Sequence, residues 1–324
     1  MTAPRRELIL KLNEIWHDLE NADYDGKHPD ILEDEIPRWR RATAEILAGP
    51  RPDIHVLDLG TGTGFVPRQL MDFLRPGDRL TCADLSTVML ETCAAGLREA
   101  GFPARLDTLK LDGQDIDLPD ASVDLVTVNA VLHHIPDVPG FCREVDRVLK
   151  PGGRVLVGHE PNRVYYDHPT LIRLYWLLLP FADFKLFGYE LLLRVGLFER
   201  LRRPLGRWLP ELRRHNLILA AVNARLIADG DIDRPLPAAV LSSLLDVHSP
   251  TAGGTFRERG FARADFGEYF PGYGVERFET YKHLGKLHPR RRWVRAVEAR
   301  LAGRHPDAGT SLFCGLRKPS TDLP

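Results

Sequence analysis

Between Asp53 and Phe65 an apolar run passes directly into three glycines at alternate positions, Asp58-Leu59-Gly60-Thr61-Gly62-Thr63-Gly64. Ile54, Val56, Leu57 and Leu59 read as a strand buried on both faces, and Phe65-Val66-Pro67-Arg68-Gln69-Leu70-Met71 reads as the start of a helix. Strand, glycine turn and helix make the first unit of a doubly wound α/β sheet. Gly60, Gly62 and Gly64 have no Cβ, so the backbone can turn sharply there and approach a ligand closely. A tight βα turn without a ligand would use the same residues, and the spacing narrows the choice. The dinucleotide fingerprint Gly-x-Gly-x-x-Gly would put its third glycine at position 65, which is Phe65.

Downstream, strands and helices alternate. Leu80–Asp84 reads as a second strand ending on an acid, and Ser86 caps a helix that runs to Gly101. Leu106–Asp112 is the third strand, Val123–Asn129 the fourth and Arg154–Gly158 the fifth, with a helix opened by Asp137 and Pro139 between the last two. This rhythm predicts a parallel sheet with right-handed crossovers. Residues 1–50 read as an N-terminal helical cap, with Leu8, Leu12, Ile15 and Leu19 at helical spacing. Residues 51–160 form the core, 161–250 a helical insertion serving as a lid, and 251–324 the C-terminal part of the sheet. In that last part the pattern predicts a helix over 253–261, a strand over 264–270, a basic helix over 290–301 and a final strand over 310–316.

Composition limits the class of protein. A net charge of −1 gives no general pull toward nucleic acid or an anionic surface. Cys82, Cys93, Cys142 and Cys314 are scattered without a C-x-x-C pair or zinc spacing, which predicts reduced thiols and no metal site. The N-terminal sequence lacks an apolar secretory core, and no run reaches the ~18–20 apolar residues of a transmembrane helix. The expectation is a cytoplasmic protein.

Open α/β sheets bind ligands at the carboxyl ends of their strands, near the point where strand order reverses. Asp58, Asp84, Asp112 and Asn129 all fall at such ends. Asp84 lies 20 residues past Gly64, where a carboxylate can accept both hydroxyls of a ribose. Asp112 can accept from an exocyclic adenine amine while the Gly113 N–H meets a ring nitrogen. His133 and His134 follow the fourth strand. An imidazole, with its reference pKa of ~6.5, suits a general base there, and packing at the start of the turn is the competing use. Glu160 ends the fifth strand and could contact an acceptor molecule or cap a neighbouring loop.

The set of motifs resembles the class I S-adenosylmethionine-dependent methyltransferases, ubiquinone and menaquinone methyltransferases among them. Asp58-x-Gly60-x-Gly62-x-Gly64 matches the first motif, and Asp112-Gly113-Gln114-Asp115 the third. Asn129-Ala130-Val131-Leu132-His133-His134-Ile135-Pro136-Asp137 and Arg143–Gly153 match the fourth and fifth. The resemblance covers residues 53–160 and implies a Rossmann-like seven-stranded sheet with an antiparallel last strand. It also implies S-adenosyl-L-methionine as cofactor. Asp58, Gly60, Thr61, Gly62 and Gly64 would hold its methionine part, Asp84 its ribose, Leu85 and Met89 would flank adenine, and Asn129 would line the site. Phosphoethanolamine methyltransferases, a further resemblance, pair a His at the position of His134 with a Tyr from an N-terminal cap, for which Tyr24 is the candidate here.

The implied reaction is methyl transfer to an oxygen or carbon of a hydrophobic small molecule, quinone-, polyketide- or lipid-like. Two rivals stand beside it: a nicotinamide-dependent oxidoreductase, against which Phe65 and Asp112-Gly113 argue, and an S-adenosylmethionine-binding scaffold that transfers no methyl group. In the insertion, Tyr165, Tyr166 and Trp176 belong to an aromatic cluster with Tyr175, Phe181, Phe184 and Phe187. The cluster suits an acceptor pocket, a homodimer face or an ordinary helical core. Arg200, Arg202, Arg203, Arg207, Arg213 and Arg214 lack the aromatic interleaving of nucleic-acid motifs and read as a solvated face, with peripheral membrane contact as an alternative.

Overall fold

A computed structural model of the chain describes residues 3–20, 29–111, 115–195, 197–207, 209–248, 260–285, 287 and 292–320. It divides into two compact units, one of residues 1–160, 262–279 and 312–324, the other of residues 161–261 and 280–311.

The first unit opens with helices α1 (Ala3–Glu20) and α2 (Pro29–Leu47). Ile9, Leu12, Asn13 and Trp16 form the buried stripe of α1 at i, i+3, i+4 and i+7. Then follow β1 (His55–Leu59), α3 (Phe65–Leu70), β2 (Arg79–Asp84), α4 (Thr87–Glu99), β3 (Arg105–Lys110) and β4 (Val123–Asn129). A short 3₁₀ turn (Leu132–His134), α5 (Val138–Val148) and β5 (Leu149–Pro161) complete the parallel part. Strands β1 and β4 are buried almost throughout, as near-continuous apolar sequence between two helical layers requires. The predicted caps form: Ser86 Oγ accepts the Met89 N–H at 3.0 Å, and Asp137 Oδ1 accepts the Gly140 N–H at 3.0 Å. Ahead of β1, Arg51 grips fully buried Asp78 through both carboxylate oxygens at 2.7 and 2.6 Å, and Asp78 also accepts the Ile54 and Arg75 N–H groups. These bonds, Arg51 foremost, hold the Asp78 carboxyl below its ordinary range despite burial.

The seven strands run in the order β3-β2-β1-β4-β5-β7-β6, with β6 at Gly274–Tyr281 and β7 at Ser311–Arg317. Pairs β1–β2, β1–β4, β2–β3 and β4–β5 are parallel. Strand β7 is antiparallel to β5: Gly152 N–H reaches Pro319 O and Lys318 N–H reaches Gly153 O, while Asn162 N–H, past the other end of β5, reaches Thr310 O. Strand order reverses between β1 and β4, where Leu59 pairs with Val128, so Gly60 and Asn129 emerge side by side.

One expectation needs correction. Residues 264–270 are not a strand; α12 spans Arg263–Tyr269, entered where Asp265 Oδ2 accepts the Ala262 N–H at 2.7 Å. Phe266 and Phe270 are buried while Glu268 between them is exposed, a helical rather than an alternating pattern. The sixth strand lies after it. The predicted third strand is also shorter, ending at Lys110. The helix expected over 253–261 falls almost wholly outside the described residues.

In the second unit, α6 (Arg163–Tyr166), α7 (Pro169–Ala182), α8 (Phe184–Arg194), α9 (Phe198–Leu205), α10 (Pro210–Ala228) and α11 (Ala238–Leu245) precede α13 (Arg292–Arg304). Its core contains Tyr175, Leu179, Leu284, Leu287 and Val294, with Leu174, Trp176 and Phe187 packed against them. No helix among the described residues is long and apolar enough to cross a membrane.

Candidate cofactor-binding site

A cavity opens in the first unit at the carboxyl ends of β1, β2 and β4. Gly60 and Gly62 from the glycine turn line it, with Asp84, Leu85 and Ser86 from the end of β2 and Met89 from α4. Asn129, Ala130, Val131 and His134 form another wall. Gly60 and Gly62 have positive φ, 67° and 52°, the region that disfavours side chains. A Cβ on Gly60 would lie 2.3 Å from Val131 Cγ2, so the turn can close on the β4 loop only without one. A Cβ on Gly62 would meet nothing within 4 Å and would fill open space at the cavity wall.

Two carboxylates sit behind this turn. Asp84 accepts the Gly62 N–H through Oδ2 and the Ser86 N–H through Oδ1, each at 2.9 Å. Burial pushes its carboxyl above the ordinary range, opposed by those two amides and by His17. Asp58, 2% exposed, accepts the Thr127 hydroxyl at 2.6 Å. Burial pushes its pKa up to about 7, opposed by the hydroxyls of Thr127 and Thr61 and reinforced by the charge of Asp84. Such a pair favours a cationic ligand, which would relieve both acids.

The β4 loop is held from below. Ala130 takes a left-handed conformation (φ 57°), which costs about 1–2 kcal/mol for a residue with a Cβ. Its N–H bonds Gly158 O, and fully buried Glu160 accepts the next three amides, those of Val131, Leu132 and His133, at 2.7, 2.8 and 3.2 Å. Glu160 Oε2 also meets His133 Nδ1 at 2.8 Å. Of the two uses considered for Glu160, this geometry is that of a loop cap. His133 turns toward Glu160, whereas His134 turns to the cavity, its ring centroid 4.1 Å from that of His133 and 5.4 Å from that of His17. Asn129 Oδ1 accepts the Trp39 Nε1–H of α2 at 2.9 Å.

Residues 57–157 match the model of a methyltransferase domain. Over these residues, about a third of the chain, the sequence is similar to the methyltransferase-domain family. The ubiquinone/menaquinone biosynthesis C-methyltransferase UbiE of Vibrio vulnificus is 31% identical over 157 residues, which cover 48% of this chain and 59% of that protein. The UbiE of Ectopseudomonas mendocina is 32% identical over 156 residues, covering 48% and 60%. The chain therefore spans about three fifths of the length of these relatives. Among solved structures, a SAM-dependent methyltransferase from Aquifex aeolicus aligns at 22% identity over 40% of this chain and 68% of its own, with a TM-score of 0.35, too low to bear on the site.

The resemblance implies S-adenosylmethionine as cofactor, and the lining of the cavity fits that molecule. The bare wall at Gly62, the buried acids and the apolar side chains of Leu85, Met89, Leu111, Ile135 and Phe141 match a nucleoside carrying a sulfonium cation. Of the residues expected from sequence, Gly60, Gly62, Asp84, Leu85, Met89, Asn129 and His134 come together here. Asp58, Thr61 and Gly64 support the turn from behind; Thr61 Oγ1 lies 3.6 Å from Cys93 Sγ, and a Cβ on Gly64 would lie 2.9 Å from the same sulfur. Tyr24, Asp112 and Gly113 fall outside the described residues.

The remaining candidates belong to the second unit. Tyr165 is 2% exposed beside Leu171 and Ala308, and burial pushes its phenol far above the ordinary range. Tyr166 stacks edge-on against it, and burial pushes its phenol up to about 12, with the charge of Glu190 adding. Trp176 carries Arg194 over its ring at 4.8 Å.

Leu10, Asn13 and His17 of α1 also line the cavity and were not anticipated. Asp18 Oδ1 accepts the Ser86 hydroxyl at 2.6 Å, tying α1 to the cap of α4. The sequence reading of this helix rested on Leu8, Leu12, Ile15 and Leu19 and singled out none of these residues.

Proposed function

We propose that this chain is an S-adenosylmethionine-dependent methyltransferase acting on an oxygen or carbon of a hydrophobic small molecule of quinone, polyketide or lipid type. The observation that carries the reading is the cavity at the switch point, where the glycine turn, Asp84 and His134 converge within a matched methyltransferase domain. The C-methyltransferase names of the UbiE relatives support carbon as one of the two acceptor atoms.

The cofactor, when bound, supplies an activated methyl group on a sulfonium. Asp84 would accept the ribose hydroxyls, and the Gly60–Gly64 backbone with Asp58 would hold the amino-acid end. Leu85 and Met89 would flank the adenine, with Asp112 and Gly113 at its edge. Direct displacement asks the protein chiefly for alignment and exclusion of water, and alignment can supply roughly 7–11 kcal/mol of barrier reduction. His134 is the candidate base for a phenol, enol or acidic carbon, and Tyr24 its candidate partner. His133, held by Glu160, would position it. The reading keeps residues 1–50 as cap, 51–160 as cofactor core, 161–250 as the segment governing acceptor choice and 251–324 as the rest of the sheet. Tyr165, Tyr166 and Trp176 are buried or half-buried in their own unit, so a direct acceptor role for them requires that unit to open.

Calorimetric titration with S-adenosylmethionine and S-adenosylhomocysteine, with Asp84→Ala as control, tests the cofactor. Micromolar binding lost in the variant is expected, and absence of binding by either nucleoside refutes the reading. A labelled-methyl screen of hydrophobic acceptors then separates a transferase from a scaffold that binds without transferring.

A further inference from the structure

Helices α7 to α10 of the second unit present a surface that the proposed chemistry does not use. Phe181 is 69% exposed and Phe184 75% exposed, on either side of the turn between α7 and α8. Leu177, one helical turn before Phe181, is 64% exposed. Leu191 and Val195 follow Phe184 at seven and eleven residues, the spacing of one helical face, and are exposed as well. Adjacent exposed phenylalanines in a strip of exposed leucine and valine exceed the isolated apolar residues that any protein surface carries.

The charge around the strip is predominantly positive, with exposed Asp183 the one acid between Phe181 and Phe184. Residues 184–217 hold eight lysines and arginines against three glutamates, in a chain whose formal net charge is −1. Lys185, Arg200, Arg203, Arg207 and Arg213 are exposed. Helix α8 packs against α7 and α9, and α9 against α10, so the apolar and basic residues lie on consecutive, touching helices.

We propose that this strip is an interfacial docking surface for a membrane rich in anionic phospholipid. A bilayer satisfies both halves of the pattern: its headgroup phosphates meet the arginines while the upper acyl region takes Phe181, Phe184 and Leu177. A second copy of the chain would oppose one basic strip to another. A nucleic acid would pair with the arginines but leave the phenylalanines and leucines in water. The docking is superficial, since no described helix can cross the bilayer.

Vesicle flotation tests this with the full chain, comparing phosphatidylcholine alone with phosphatidylcholine containing about one third phosphatidylglycerol. The protein is expected to float with the anionic vesicles at low salt, to remain behind with the zwitterionic ones, and to be released as salt screens the arginines. Phe181→Ser with Phe184→Ser should lower the partition coefficient at least tenfold. Arg200→Glu with Arg203→Glu and Arg207→Glu should abolish the preference for anionic lipid. All five positions are exposed, and S-adenosylhomocysteine binding and the thermal midpoint should stay at wild-type values in both variants. Flotation of the phenylalanine variant equal to wild type would overturn the proposal, as would failure of the wild type to float with anionic vesicles. A phenylalanine-dependent dimer, or binding to a single-stranded RNA oligomer, without vesicle binding would assign the strip to those partners instead. The proposal does not depend on methyl transfer, so failure of either reading leaves the other standing.

Discussion

Replacing Asp58 by Asn should stabilise the cofactor-free protein at neutral and alkaline pH while abolishing tight cofactor binding. Asp58 is 2% exposed and its pKa stands at about 7, against 3.8 for an ordinary aspartate. Between these two values the unfolded chain has released the proton and the folded one retains it. Wild-type stability therefore falls as pH rises through this window, by about 1.4 kcal/mol per pH unit, and the full penalty reaches about 4 kcal/mol above pH 7. Asparagine carries no such penalty. Its amide nitrogen needs an acceptor where the carboxylate needed donors, which offsets about 1–2 kcal/mol. The variant should thus gain about 2–3 kcal/mol at pH 8 and lose about 1–2 kcal/mol near pH 4. Urea unfolding of both proteins at several pH values and constant ionic strength measures the difference directly. A difference that stays flat with pH, or a variant that grows relatively less stable as pH rises, would refute the argument that burial controls this carboxyl.

The same acid gives wild-type cofactor binding a pH dependence: affinity for the cationic cofactor should decline as pH drops below about 7, by up to tenfold per unit, measured by calorimetry. Gly62→Ala should cost only about 1 kcal/mol of stability for its positive φ yet weaken cofactor binding at least tenfold, because its Cβ enters the cavity wall. Gly60→Ala should instead destabilise by about 1–3 kcal/mol through its clash with Val131, and equal thermal shifts for the two variants would contradict this distinction. Glu160→Ala should destabilise by about 3–5 kcal/mol, since it leaves three amides and His133 without their acceptor; a fully stable variant with only a raised KM would mark Glu160 as an acceptor contact after all. Asp78→Asn should remove several kcal/mol above pH 4, and because the folded carboxyl lies below its ordinary value, the wild-type advantage should vanish as pH falls through that lower value.

The parts of the site that were legible beforehand obey local rules. Three glycines after an apolar strand, an acid at the end of the next strand and a serine opening the helix beyond it each follow from backbone geometry a few residues either way. Strand order then brings Gly62, Asp84 and Asn129 together without further information. The contributions of α1 were not legible, because helical periodicity says which face is buried and not what covers it. Glu160 was undecided for the same reason, its partners lying 27–29 residues earlier in the loop that follows the neighbouring strand. The misread segment at 264–270 shows the limit of short patterns. By spacing alone Phe266 and Phe270 suit one helical face or, with Ala264 and Glu268 completing an alternation, one face of a strand; the exposure of Glu268 and the Asp265 bond to Ala262 decide for the helix.

Several costly features of the first unit lie at or beside this cavity. Asp58 and Asp84 are buried acids, each pushed up by burial, with the charge of Asp84 adding to the cost of ionising Asp58. Ala130 sits left-handed on the cavity wall, and His159, also left-handed (φ 56°), lies next to Glu160, which holds the loop. Each lowers the stability of the folded state, and each is held by bonds with little other purpose: Thr127 to Asp58, Glu160 to the three amides, and fully buried Glu35 to His159 Nδ1 at 2.9 Å. Strain maintained in this way persists where a ligand repays it. The two acids identify the sign of that ligand's charge, since only a cation relieves both. A neutral nucleoside would leave Asp58 as costly bound as free, so the Asp58→Asn variant should lose more affinity for a cationic nucleoside than for a neutral one such as adenosine. Equal losses for the two would mean that Asp58 only shapes the glycine turn and does not read charge.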